Sequence, residues 1–306
     1  PTSAPTRPPA VPTSAPTRPP AAPTRPPAPP TAPPTPAAVS EEVLWLYFAD
    51  PTGSLYVPVQ RRVRVEDKKV AEAAIRELIA GPRAGLERLI LPDVRLLGIT
   101  IRDGTAFVNF DRPPSGEGDN RGAYAIAMTL THFPTIQQVQ LLVNGQPYGP
   151  DGGGPIRRPV VNPLNPDGLP FDYRTTEFLP TYYLMADGRH TVRIMRMVPK
   201  TRETAAGTLY ALLEGPGEYE YAVRRVIPDG TGLLGVGLED GVATVNFTQD
   251  FAGAVDRDAA VRTVVESLTT LKTIGAVRFL VDGQSLADYW GEPYGQVFPR
   301  PQINPE

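Results

Sequence analysis

The sequence predicts an α+β protein built from two tandem small units. Each unit is expected to be a mixed sheet of about five strands with two helices on one face, in the order ββαββαβ along the chain. Three observations predict this. Leu97–Phe110 reads as a β-hairpin: Ile99 and Ile101 alternate with polar residues, Asp103-Gly104 turns the chain, and Ala106, Val108 and Phe110 alternate again. An Asp-Gly pair suits a type I′ turn, whose two central residues need positive φ. Ile101 then faces Ala106 and Ile99 faces Val108, so all five apolar residues are expected in the core. The same pattern returns 137 residues on, at Leu234–Phe247. Each copy also carries a helix stopped by Gly-Pro, at Gly81-Pro82 and Gly215-Pro216.

A length of 306 residues fits two domains of the size the repeat implies. The formal charge is −3, and Arg7, Arg18 and Arg25 in the acid-free segment 1–40 leave −6 on the remainder. That balance argues against nucleic acid, whose phosphates need a basic face. With no cysteine, a disulfide framework, a Cys-based zinc site and a Cys nucleophile are excluded. No run of about 18 apolar residues is present, so no segment reads as a membrane span. The chain starts at Pro1 without Met, which leads us to expect a trimmed form. Membrane contact is expected only through a lipid-bearing Cys upstream of Pro1.

Residues 1–40 hold 16 of the 38 prolines and repeat Pro-Thr-Ser-Ala-Pro-Thr-Arg-Pro-Pro-Ala. Such a segment cannot build a core and reads as a disordered, polyproline-like stalk reaching on the order of 100 Å. The first unit spans 41–149. Val43–Phe48 is a strand, Asp50–Gly53 a turn, and Leu55–Val65 a second strand that Pro58 demotes to an edge. Asp67 is the expected N-cap of a helix burying Val70, Ala74, Ile75 and Leu78. After the hairpin, a helix with Ala123, Ile126, Ala127 and Leu130 leads to the strand Val139–Val143, closed by Asn144-Gly145. Residues 150–178, rich in Pro and Gly, read as a linker that lets the units move unless it packs along them. The second unit, 179–286, repeats the order with strands at Tyr182–Met185 and Thr191–Val198. The tail, 287–306, holds Tyr289, Trp290, Tyr294 and Phe298, aromatics expected to pack back on a domain.

Chemistry is sparse. Gly230–Gly235 matches Gly-x-Gly-x-x-Gly, but a hairpin follows where a dinucleotide site needs a helix. His132 has Thr270 as its counterpart, which rules out a duplicated histidine mechanism, and His190 lies in a turn. The turns account for Asp103 and Asp240. No catalytic, cofactor-binding or metal-ligating residue is assigned, and no cofactor is expected. Asn109 and Asn246 recur on the hairpin's outer face beside Phe107, read as exposed among polar residues, and this face is the candidate contact surface. Arg62 aligns with Arg196 in the second strand of each unit, either as an ion pair with a helix carboxylate or as part of that surface.

The ordered set of these pieces resembles the GerMN (germane) domain family, over roughly 43–147 and 180–286. In the first unit the resemblance rests on Leu46-Tyr47-Phe48 with the Asp50–Gly53 turn, Gly81-Pro82, Ile90-Leu91-Pro92, Asp103-Gly104 with Val108-Asn109-Phe110, and Val143-Asn144-Gly145. The second unit answers with Tyr183-Leu184, Gly215-Pro216, Ile227-Pro228, Asp240-Gly241 with Val245-Asn246-Phe247, and Val281-Asp282-Gly283. It departs at its first turn, where Asp187-Gly188 shortens the loop. The resemblance implies an extracytoplasmic module of envelope assembly, related to ring-building folds and sporulation proteins, with no catalytic residues to transfer. The expected function is therefore a non-catalytic, cell-surface lipoprotein. It presents two interaction modules on a stalk to envelope proteins or to copies of itself. Binding of peptidoglycan or another wall glycan, through Phe107, Tyr124 or Trp290, is the alternative, and a cell-wall hydrolase the third reading.

Overall fold

Strand β1 (Val39–Ala49) and strand β2 (Tyr56–Glu66) form an antiparallel hairpin in which Leu46 faces Val59. The turn is held by the buried Asp50, whose carboxylate accepts from the backbone of Thr52, Ser54 and Leu55 at 3.1, 2.8 and 2.7 Å. The computed structural model describes residues 3–4 and 39–306, apart from 84 and 117. The stalk expected over 1–40 therefore lies almost wholly outside the described residues.

Helix α1 (Val70–Ala80) buries Ala74, Ile75 and Leu78, as its periodicity requires. Its N-cap is Lys69 rather than the expected Asp67. Strand β2 runs on to Glu66, so Asp67 and Lys68, at φ 52° and 57°, are spent turning the chain out of the sheet. Gly81 ends the helix at φ 88°, where a side chain would be strained.

Strands β3 (Leu96–Arg102) and β4 (Thr105–Phe110) pair with Ile99 opposite Val108 and Ile101 opposite Ala106. Asp103 and Gly104 take φ 49° and 72°, the turn the sequence predicts. Ala106, Val108 and Phe110 are fully buried, but Ile101 is 46% exposed and leaves the expected core. Strand β3 is the outermost strand of its sheet, so its tip has a neighbour on one side only. Helix α2 (Arg121–Leu130) then leads to β5 (Gln138–Val143), parallel to β4, followed by β6 (Gln146–Tyr148), antiparallel to β5.

The segment read as a linker is packed along both units. Strand β7 (Ile156–Arg157) pairs with β5, and β8 (Pro163–Leu164) pairs in parallel with β10 (Thr191–Pro199) of the second unit. Strand β9 (Thr176–Met185) forms a hairpin with β10, and after helix α3 (Thr204–Glu214), β11 (Val223–Arg224) joins β9. Strands β12 (Leu233–Glu239) and β13 (Val242–Phe247) repeat the Asp-Gly hairpin. Helix α4 (Arg257–Thr269) carries the chain to β14 (Ala276–Val281), parallel to β13, and β15 (Gln284–Ser285) follows. Helix α5 (Leu286–Trp290) and β16 (Phe298–Pro299), paired with β14, complete the order.

Each unit thus has a mixed five-stranded sheet, but its membership differs from the expectation. The first hairpin of each unit stands in a separate sheet, and the fifth strand, β7 or β16, comes from the supposed linker or tail. The tail aromatics do pack back: Trp290 stacks on Phe251 at 5.5 Å and Phe298 meets Phe279 edge-on at 5.6 Å. Both units, the connector and the tail fall in one compact body. No helix among the described residues is long and apolar enough to cross a membrane.

Candidate functional site

The two units meet along a seam between β2 and β10, and two buried asparagines bridge it. Asn162 accepts from the Tyr56 N–H at 2.9 Å and donates from Nδ2 to the carbonyls of Tyr56 and Arg193, each at 2.8 Å. Asn304 accepts from the Thr191 N–H at 2.8 Å and donates to the carbonyls of Thr191 and Pro58, each at 2.7 Å. Tyr56 corresponds to Thr191 and Pro58 to Arg193, so the two sets of bonds are reciprocal. Each amide side chain stands in for a peptide unit and satisfies edge-strand groups that burial would otherwise leave unpaired. Both residues sit in the left-handed region, at φ 46° and 43°, which asparagine tolerates.

The backbone around them is reciprocal too. The Met195 N–H donates to the Asn162 carbonyl at 3.1 Å, and the Gln60 N–H is shared between the carbonyls of Asn304 at 3.4 Å and Ile303 at 3.0 Å. Thus the arm leaving the first unit lies on the second, and the arm leaving the second returns to the first. A sequence signal for this exists: Arg158–Pro163 reads Arg-Pro-Val-Val-Asn-Pro and Arg300–Pro305 reads Arg-Pro-Gln-Ile-Asn-Pro. It is easily passed over because both copies lie in stretches whose composition reads as loop.

Among the predicted residues, Asn109 and Asn246 have a structural reason to recur. Each Oδ1 accepts from the N–H of the glycine in the turn after the last core strand, Gly145 or Gly283, at 3.0 Å. Phe107 is half-buried beneath the Arg102 guanidinium, 4.7 Å from its ring centre, rather than exposed. Trp290, offered as an exposed aromatic, is buried and donates to the Ala252 carbonyl at 2.8 Å. Arg196 is buried, pairs with Glu214 at the end of α3 and donates to the Gly215 carbonyl at 3.2 Å. Its counterpart is Arg61, not Arg62. Arg61 pairs with Glu77 at 2.8 Å and with the Glu306 side chain, and donates to the Gly81 carbonyl at 3.0 Å. Arg62, one residue on, points to the opposite face and is largely exposed, 3.9 Å from Glu41.

A polar chain crosses the seam beside these bridges. Arg193 on β10 donates from Nη2 to the Tyr47 hydroxyl at 2.8 Å, and that hydroxyl lies 2.8 Å from His132 Nε2. The tyrosine accepts from the guanidinium, which leaves its one proton free to be donated to a neutral imidazole. Burial, reinforced by Arg193 and Arg158, pushes His132 down to about 3, so the ring is neutral as this arrangement requires. Burial also pushes the Tyr47 hydroxyl up. Trp45 stacks on the imidazole, with centroids 4.7 Å apart and planes 4° apart. Sequence reasoning placed His132 at a helix end and missed this contact, since Tyr47 and Arg193 approach it only in three dimensions.

Strands β3 and β12 are edge strands, each outermost in its unit's five-stranded sheet. Their exposed apolar residues coincide: Leu97 with Leu234, and Ile101 with Leu238. A groove of about 450 Å³ lined by Val70, Ile99, Ile101, Phe133 and Ile136 runs beside the tip of β3.

Comparison with known proteins places this architecture. The spore germination protein GerM of Bacillus subtilis is 26% identical over 286 residues, covering 85% of this chain and 77% of that protein. Lipoprotein LpqB of Mycobacterium tuberculosis is 32% identical over 176 residues, 56% of this chain and 26% of LpqB. This chain therefore spans about a quarter of LpqB. The solved tandem GerMN domains of GerM superpose with a TM-score of 0.65 at 22% identity, covering 87% of this chain and 99% of that one, and so share the fold. With the family described as Germane, sporulation and spore germination, matching residues 45–149 and again 180–287, the chain belongs to the GerMN family as a tandem member.

Proposed function

We propose that the protein is a non-catalytic, lipid-anchored envelope component that offers its two GerMN units, joined through the seam, for assembly with envelope proteins or with copies of itself. The observation that carries this is the recurrence of one free edge in both units. Strands β3 and β12 each present seven residues of backbone with a free side, flanked by the same exposed apolar positions. An edge of this kind invites strand addition, in which backbone hydrogen bonds give affinity and side chains give selectivity. The name of LpqB as a lipoprotein supports the anchor.

The test is light scattering and crosslinking of the full chain at high concentration, with pull-down from envelope extract. We expect association or capture of an envelope protein, lost in the variant Ile101→Lys/Leu238→Lys. A strictly monomeric protein that captures nothing from envelope extract would overturn the reading.

A further inference from the structure

A cavity of about 280 Å³ opens at the seam, and Tyr47, His132, Arg158 and Arg193 contribute its polar groups. Its remaining walls are apolar, formed by Met128, Pro159, Val160, Val161 and Met195, and no carboxylate lines it. We propose that this cavity binds a small organic carboxylate, a monoanion on a compact apolar body such as the free C-terminus of a short peptide.

Charge balance is the first argument. The buried arginines of the first hairpins have acids: Arg61 has Glu77 and Glu306, and Arg196 has Glu214. Arg193 has none within ion-pair distance among the described residues, and its Nε is buried without a partner. Arg193 is half-buried, and its Nε is shut off from water with no counter-charge beside it; a carboxylate ligand supplies that charge in the planar geometry the guanidinium matches. Arg158, exposed at the cavity mouth, provides a second such group.

The second argument comes from the repeat. Arg300, the counterpart of Arg158, is used by the fold and donates to the Ile274 carbonyl at 2.9 Å. Arg158 makes no such bond among the described residues. The counterpart of Arg193 is Pro58 and that of His132 is Thr270. The repeat-related positions across the seam therefore carry Tyr182, Thr270, Arg300 and Pro58 within the same fold, so the set is not a requirement of the fold. The apolar walls select an organic anion over a fully hydrated inorganic one.

The experiment is calorimetric titration of the full chain with acetyl-Ala-Ala, its C-terminal amide and inorganic phosphate, with Trp45 fluorescence as a second readout. We expect saturable binding of the free acid, with the amide weaker by about tenfold or more. Arg158→Gln, at an exposed position, should weaken the acid by about tenfold while leaving the melting temperature unchanged. Absence of saturable binding up to about 10 mM, equal binding of acid and amide, or an unchanged affinity in Arg158→Gln would each overturn the proposal. Phosphate binding in place of the acid would overturn the carboxylate assignment.

Discussion

Asn162 and Asn304 perform one task from opposite sides of the seam, each hydrogen-bonding the backbone of both β2 and β10 through a single side-chain amide. Replacing either with Ala leaves buried backbone groups unpaired. We expect a loss of ~1–3 kcal/mol for each, read as a lower urea midpoint. Asn304→Asp should cost at least as much, because it sets an acceptor against two carbonyls. Asn304 also accepts from Arg262 at 3.1 Å, so its variants should be the more damaging of the two.

Arg61 and Arg62 are adjacent in sequence and opposite in consequence. Arg61→Met strands Glu77 and Glu306 and uncovers the Gly81 carbonyl, and should cost ~3–5 kcal/mol. Arg62→Met should stay within ~0.5 kcal/mol of the parent protein. Chemical denaturation of the two variants side by side tests the pair.

The folded-state pKa of His132, about 3, lies below the ordinary histidine value near 6.5, so the unfolded chain takes up the proton first. The contribution of this site is therefore complete above about pH 6.5 and is lost progressively as pH falls toward 3. Its size is on the order of 5 kcal/mol over that whole window, with about 3 kcal/mol of it between pH 7 and 4. Comparing denaturation midpoints between pH 7 and 4 for the parent and His132→Gln should show a steeper loss in the parent.

Asn109 and Asn246 should separate cleanly from Ile101 and Leu238. Asn109→Ala or Asn246→Ala removes a turn-closing hydrogen bond and should cost ~1 kcal/mol with association intact. Ile101→Lys/Leu238→Lys, at exposed positions, should leave the melting temperature nearly unchanged and abolish association. Thermal melts and light scattering on the same samples provide both readouts.

Local patterns were readable where one short stretch decides the outcome. The Asp103-Gly104 turn, the Gly81-Pro82 stop and the duplication needed only neighbouring residues and backbone preference. What alternation could not supply was the edge: Ile101 has the right period for a core, but only sheet order shows that its strand has a neighbour on one side alone. The Arg61 and Arg62 assignment failed by one residue, the smallest slip that moves a strand side chain to the other face. The roles of Asn162 and Asn304 depend on partners more than a hundred residues away, and composition pointed to loop.

The reciprocal arms also set the valency of the molecule. A two-fold pair of separate units would spend its β2-type edges on each other and bury them, and here that pairing is already made within one chain. The outer edges of β3 and β12, one in each unit, take no part in that pairing. One chain therefore carries two like edges where a single unit would carry one.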